Sequence, residues 1–324
     1  MSTPPVLLGI DFGGTKIAVA LADPGGRRIA ATVVGSLGEL GARAAFDRGI
    51  AAARDLLARA GRPLAAVGVS TFGIPFEDRV ELAPAIPGWD DLAFGRELRA
   101  AFPGARIAMA TDVKAAASAE AAWGALAGCD PGIYLNLGTG LAVAIVAGGR
   151  VLLGGHRASG EIGYNLRTVA DTGVPLERRV PLEWMVSARA VAQRGSAAGP
   201  GRELTAAEVF AASADDPAMA AVIDDVVTEL AYHLVNLANA IDPVRIVAGG
   251  GMTGSWERLR PALDEALRAG VPFPPELALA AFPADAPLIG AVALAVEAAS
   301  GRPGPLAARV PPAPTAEPAQ PSQC

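Results

Sequence analysis

Apolar and polar positions along the chain switch between two periods, and each switch marks an element. Residues 6–12 and 16–22 are short apolar runs bounded by glycine turns, and a third run follows Pro24-Gly25-Gly26 at 28–34. Each has strand length, so a three-strand meander opens the chain. The alanine-rich stretch 38–60 carries apolar residues at helical spacing; 64–72 reads as a buried strand, 91–102 as a helix, 106–110 as a strand and 112–126 as a helix. The pattern then restarts. Strands are expected at 132–137, 141–147 and 150–153, helices at 182–194, 205–213 and 217–241, a strand and turn at 245–251, a helix at 255–268, a short strand at 277–281 and a helix at 287–299. A meander followed by alternating helices and strands, met twice, predicts an α/β protein with a duplicated core. The proline-rich stretch 302–324 has no periodicity and reads as a disordered tail.

The halves match in their first turns. Asp11-Phe12-Gly13-Gly14-Thr15 and Leu137-Gly138-Thr139-Gly140 each join two strands. A threonine hydroxyl beside bare backbone N–H groups can hold a phosphate oxygen, and glycine admits a close approach that a Cβ would block. Two such turns predict two related half-domains gripping one polyphosphate through Gly13, Gly14, Thr15, Gly138, Thr139 and Gly140.

Composition removes several other classes. A hydrophobic fraction of 52% over 324 residues supplies a core for one large or two medium domains. A net charge of −6 with no basic run argues against a nucleic-acid partner. Two cysteines, Cys129 and Cys324, exclude a disulfide framework and a Cys-rich zinc site. The start of the chain lacks a basic signal-peptide region, and the apolar stretches are broken well short of a membrane span. The expectation is a cytoplasmic protein with no membrane partner.

A series of short motifs adds a family. D-F-G-G-T-K at 11–16, A-P-A-I-P-G-W at 83–89, T-D-V-K-A-A-A at 111–117, L-G-T-G at 137–140, G-E-I-G at 160–163, L-E-x-x-x-S at 182–187 and A-G-G-G at 248–251 occur in this order. Together they resemble the ROK family (repressor, ORF, kinase) of sugar kinases over roughly 5–300. The resemblance implies the two-domain actin-like ATPase (ribonuclease H-like) fold with a duplicated mixed-sheet core. A small domain, 1–112, would be completed by a C-terminal helix at 287–301, and a large domain would span 113–286, with a hinge near 111–113. It also implies ATP-dependent phosphorylation of a hydroxyl, expected to be the primary one, of a hexose or sugar-like polyol, with Mg2+, in a homodimer.

On this resemblance Asp112 is the general base, against the alternative of a helix N-cap. Asp11 faces the Mg2+ through water, against a turn cap. Glu161 and Glu183 accept hydrogen bonds from sugar hydroxyls, although Glu183 after Pro181 also suits a first helical turn. Lys16 has two readings, a phosphate partner or a surface ion pair. It and Lys114 are the only lysines among 27 basic residues, and both sit inside motifs. His156 is a candidate substrate contact in a glycine-rich loop, His233 a packed histidine, and Trp89 and Trp184 core residues. Gly249, Gly250 and Gly251 form the turn beside adenosine. With Gly254 they also satisfy a dinucleotide fingerprint, but that motif opens the first βαβ unit of its fold and this one lies near the end of the chain.

The departures bear on substrate. Where the family has His after Gly-Glu-Ile-Gly and then a Cys-rich zinc loop, this chain has Tyr164 and no cysteine in 165–182, so no structural zinc is expected. Ala85 and Thr111 stand where many members carry Asn, and Asn165 is a candidate replacement contact. A site that loses a hydroxyl partner changes its preference sharply, which makes glucose, a modified hexose, an amino sugar or a cyclitol the substrates to consider. The competing classes are a non-catalytic sugar sensor of the same family and an NAD-dependent oxidoreductase. The family's repressors carry a helix-turn-helix ahead of the phosphate turn, and no space for one precedes residue 6.

Overall fold

The computed structural model describes residues 4–199 and 201–301, so the tail expected at 302–324 lies outside the described residues. The first half runs β1 (Val6–Phe12), β2 (Lys16–Ala22), β3 (Arg28–Gly35), α1 (Ala42–Ala60), β4 (Leu64–Thr71), the short hairpin β5 (Ile74–Pro75) and β6 (Val80–Glu81), α2 (Phe94–Ala101), β7 (Arg106–Thr111) and α3 (Asp112–Trp123). The second runs β8 (Gly132–Leu137), β9 (Leu141–Ala147), β10 (Arg150–Val151), α4 (Glu183–Val186), α5 (Ala188–Ala198), α6 (Ala206–Ala212), α7 (Pro217–Ile241), β11 (Arg245–Gly249), α8 (Trp256–Gly270), β12 (Glu276–Leu279) and α9 (Ala286–Ala299).

The strands form two five-stranded sheets, ordered β3-β2-β1-β4-β7 and β10-β9-β8-β11-β12. In both, the meander pairs antiparallel and the last two steps are parallel. The duplication expected from the pattern is therefore present as two sheets of one topology. Helices α3 and α9 are counterparts, each following the last strand of its sheet. Each packs on the other half's sheet. Val113, Ala116 and Ala117 of α3 join Tyr134, Ala142, Ala144 and Val247, while Leu288 and Val292 of α9 join Leu7, Ala18, Ala20 and Ala66. The two helices also pack on one another. Two glycines permit this: a Cβ on Gly290 would meet the Ala115 carbonyl oxygen at 1.9 Å, and one on Gly68 of β4 would meet that of Ala291 at 1.8 Å.

Behind the first sheet, Phe12, Phe46, Trp89 and Phe94 cluster with ring centroids 5.5 to 5.7 Å apart. Trp89 is the core residue expected, and its indole N–H donates to Thr71 Oγ1 at 3.1 Å, which satisfies its polar end. Trp184 is not: it is 64% exposed.

Element boundaries move where local chemistry intervenes. Gly41, at φ 87°, stops the helix expected from residue 38, so 38–40 is a single 3-10 turn and α1 begins at Ala42. Ser187 splits the helix expected at 182–194. Its hydroxyl accepts from the Ala190 N–H at 3.2 Å and so caps α5. Among the described residues no helix is long and apolar enough to cross a membrane.

The contact of α9 with the first sheet is testable. Gly68→Ala forces a methyl onto a backbone carbonyl and is expected to cost about 3 kcal/mol of stability by urea denaturation. Gly155→Ala, with open space around the added carbon, is expected to change it by less than about 0.5 kcal/mol.

Candidate active site

β7 ends at Thr111 and α3 begins at Asp112 with no loop between them. Thr111 is the N-cap, its Oγ1 accepting from the Lys114 N–H at 3.3 Å. The capping role weighed for Asp112 therefore belongs to Thr111, and Asp112 takes the first helical position. Asp112 Oδ1 accepts from the Val113 N–H at 2.8 Å. Solvent reaches this side chain along a cleft of about 510 Å3, yet protein surrounds it. That desolvation pushes its pKa up; the Val113 N–H opposes it, the Glu161 carboxylate adds to it, and the Lys114 ammonium pulls it down.

The cleft is lined by the ends of β7 and β8, the start of β9, and the 161–164 and 181–189 segments. It brings together Thr111, Asp112, Glu161, Tyr164 and Glu183 from the sequence-derived set, with Ala85 on the opposite wall. Glu183, the first residue of α4, accepts from the Leu141 N–H at 2.9 Å through Oε2. Only glycine fits at 140, because a Cβ there would lie 2.6 Å from that oxygen. Glu183 thus satisfies both of its readings, opening a helix and reaching the second glycine turn. Tyr164 lines the cleft at 38% exposure, and burial, with Glu161 and Glu183 nearby, pushes its phenol pKa up.

Asp112, Val113 and Asn136 also line a smaller cavity of about 170 Å3, walled by Tyr134, Gly250 and Phe282. Gly250, at φ 93°, packs so tightly on the second turn that a Cβ would meet Leu137 and Gly138 backbone atoms within 2.8 Å. Beyond it, Gly251, Met252 and Phe210 border a further cavity of about 630 Å3. In each glycine turn one bond closes the loop: the Gly13 N–H donates to Lys16 O at 3.0 Å, and the Gly138 N–H to Gly140 O at 3.2 Å. The N–H groups of Gly14, Thr15, Thr139 and Gly140 make no hydrogen bond among the described residues. Gly249 lies over Tyr134, whose hydroxyl would be 2.2 Å from an added Cβ.

Asp11, at the end of β1, is raised to a pKa of about 6. Burial is the main cause, Ser70 Oγ donates to its Oδ1 at 2.8 Å and opposes it, Asp112 and Asp285 add to it, and Lys16 lowers it. Lys16 is exposed.

Two candidates lie elsewhere. His156 is exposed and outside the cleft lining. Asn165 turns to His233, Nδ2 to Nδ1 at 3.4 Å, because the 165–182 loop folds onto α7. There Arg167 Nε pairs with Glu229 Oε1 at 2.7 Å, and Arg179 donates to the Tyr164 carbonyl at 2.7 Å. His233 is buried, as expected. Among the described residues no cluster of three or more His, Cys, Asp or Glu could hold a metal ion. Sequence reasoning missed Ser70 and Asn136. Ser70 is the polar residue paired with Asp11 in a strand otherwise apolar at its centre. Asn136 stands before the second turn as Asp11 stands before the first, a signal available from the internal match.

Comparison with known proteins follows this geometry. The model described as the ROK family matches residues 7–298. The chain is 30% identical to the kanosamine kinase of Amycolatopsis mediterranei (strain S699), over 92% of this chain and 98% of that protein. Among solved structures it is similar to the ROK hexokinase from Thermus thermophilus, with a TM-score of 0.77 and 30% identity over 90% of this chain and 97% of that one. A ROK family glucokinase from Streptomyces griseus, in complex with glucose and AMPPNP, superposes with a TM-score of 0.70 and 25% identity over 90% of this chain and 99% of that one. The two matched sheets are those of the actin-like ATPase fold.

The raised pKa of Asp11 makes a prediction about stability. Its neutral form favours the folded state, fully so below the unfolded value of 3.8, and this contribution is lost as pH rises through about 6. Without added divalent cation, Asp11→Asn is expected to be the more stable protein near pH 8, by up to about 3 kcal/mol. The gap should narrow below pH 6 and close near pH 4. Denaturation at several pH values checks this; a gap independent of pH would show that Asp11 is not ionising at a cost.

Proposed function

The chain belongs to the ROK family and is a carbohydrate kinase, and we propose that it transfers the γ-phosphoryl group of ATP to a hydroxyl of a hexose or sugar-like polyol bound beside Asp112. The observation that carries this reading is the placement of one carboxylate, Asp112, on both the cleft and the smaller cavity against the Gly250 turn. A sugar on the first side and phosphates on the second would meet at that side chain.

Phosphoryl transfer depends mainly on position and charge neutralisation. The N–H groups of Gly14, Thr15, Thr139 and Gly140, with the two threonine hydroxyls, suit the phosphate oxygens, and the cavity beside Gly251 and Met252 suits adenosine. Asp112 Oδ1 is occupied by the Val113 N–H, which leaves Oδ2 to orient the attacking hydroxyl and take its proton. The hydroxyl oxygen bonds to the γ-phosphorus, the bond to the bridging oxygen breaks, and ADP departs. Glu161 and Glu183 accept from ring hydroxyls. A single half-buried carboxylate with acidic neighbours suits Mg2+ held through water at Asp11, since magnesium keeps most of its hydration. When bound, the ion supplies positive charge to the phosphate oxygens. Residues 1–112 with α9 act as one domain and 113–286 as the other, and their closure excludes water.

The substrate is read from the departures. Ala85, Thr111 and Tyr164 line the cleft, and Thr111 is already spent on capping α3. The similarity to a protein named kanosamine kinase puts kanosamine on the panel with glucose, mannose, other amino sugars and cyclitols.

ADP release from Mg-ATP across that panel is expected with at least one member. Asp112→Asn is expected to lower kcat about 10²–10⁴-fold with the sugar KM little changed. An active Asp112→Asn protein would remove the base from this scheme, and no ADP release on any member would favour the sensor reading.

A further inference from the structure

Lys114 is 1% exposed. A buried ammonium persists only where it is paired, and its one side-chain partner among the described residues is Glu161, Nζ to Oε1 at 3.3 Å. Glu161 lines the cleft and Lys114 does not. Helix α3 therefore presents Asp112 to the cleft from its first position. Two residues on, it sends a cation beneath the cleft wall to the carboxylate on the far side of the chain's 161–164 segment.

We propose that Lys114 is a positioning residue: it grips Glu161 by Oε1, leaving Oε2 for a substrate hydroxyl, and it offsets the negative charge that Glu161 brings beside Asp112. The proposal rests on the roles given above to Asp112 and Glu161. Two carboxylates in one cleft drive each other toward the protonated form, and a protonated Asp112 cannot accept the hydroxyl proton. Glu161 pushes Asp112 up and Lys114 pulls it down, while the same Glu161 helps hold a proton on Lys114 against its burial.

Other charged groups around α3 are accounted for. Asp11 comes from β1, Tyr134 from β8 and Arg157 from the loop after β10, the last donating to the Met109 carbonyl at 2.8 Å. Glu120 of α3 accepts from the Ala125 and Phe282 N–H groups. Glu297 of α9 faces Arg150 of β10 at 3.8 Å, and Arg106 of β7 donates to the Ala298 and Ala299 carbonyls. Strands β4 and β9 carry no charged residue. Lys114 is thus the cation paired with the cleft carboxylate.

The test uses the full chain and the panel sugar with the highest turnover. Lys114→Met, Glu161→Gln and the double variant are compared with wild type from about pH 5 to pH 9. The acid limb of kcat/KM reports the free-enzyme base. Lys114→Met is expected to move that limb to higher pH by about one unit, a tenfold loss at a fixed pH on the limb. It should also raise the sugar KM about tenfold while the Mg-ATP KM stays within about twofold. Glu161→Gln is expected to move the limb the other way, and the double variant to return it near wild type with the sugar KM still high. An unmoved limb in Glu161→Gln overturns the proposal, and that variant decides alone if Lys114→Met does not fold. Equal loss toward both substrates with no shift in the limb also overturns it, since a purely structural lysine would behave so. Asp112→Asn in the same assay separates the two ideas: activity there defeats the base assignment, whereas inactivity there with unmoved limbs defeats the role of Lys114 alone.

Discussion

Helices α3 and α9 meet backbone to backbone, and the position of Asp112 follows from that contact. Each helix leaves the last strand of one sheet and packs on the other sheet. The molecule is therefore layered as sheet, α9, α3, sheet, with Gly290 against Ala115 at the centre. Because Asp112 is the first residue of α3 and directly follows β7, the stacking fixes its carboxylate where the two sheets' loops converge. The same stacking gives a route for motion: a shift of one sheet against the other must pass through two helices that cannot separate without opening a close-packed core.

The cleft concentrates negative charge, and each carboxylate is supported differently. Asp11 accepts from the Ser70 hydroxyl, Asp112 from the Val113 N–H, Glu183 from the Leu141 N–H, and Glu161 from the Lys114 ammonium. Three of the four donors are neutral. Only Glu161 receives a full charge, and it is the acid that acts most directly on Asp112. A neutral donor can orient a carboxylate but leaves its field largely intact; a buried ammonium does both. The carboxylate set can therefore be anionic enough to bind a polyol and a metalled phosphate while one member still serves as base.

What could be read from the sequence was whatever repeats or is local. The glycine-threonine turns, the double meander and the Asp at a strand-to-helix junction each involve residues close together in the chain. Their expected places agree with the observed turns at 13–15 and 138–140 and the α3 start. Lys114 and Glu161 lie 47 residues apart, and no periodicity links them. Asn165 was assigned by its nearness to Glu161 in sequence, but the chain reverses after Tyr164 and carries it to His233. Trp184 was expected in the core on residue type alone. It follows Glu183 in a single helical turn, and the carboxylate, not the indole, is what that turn directs at Gly140.

The 165–182 loop shows how one substitution propagates. In the resemblance drawn from sequence, a histidine after Gly-Glu-Ile-Gly and a set of cysteines would tie this loop to a metal. Tyr164 and the absence of cysteine leave that task to hydrogen bonds. Asp171 gathers the Arg167 and Thr168 N–H groups at 2.9 Å, Arg167 reaches Glu229 on α7, and Arg179 takes the Tyr164 carbonyl. These bonds act on the backbone at both ends of the loop, beside Tyr164 and ahead of Glu183. A metal would fix the loop by its ligands and leave the side chain after the glycine committed to coordination. Here the backbone is fixed instead, and the Tyr164 side chain is free to face the cleft between Glu161 and Glu183. The position that a metal-bound loop would withhold from the substrate becomes part of the wall that selects it.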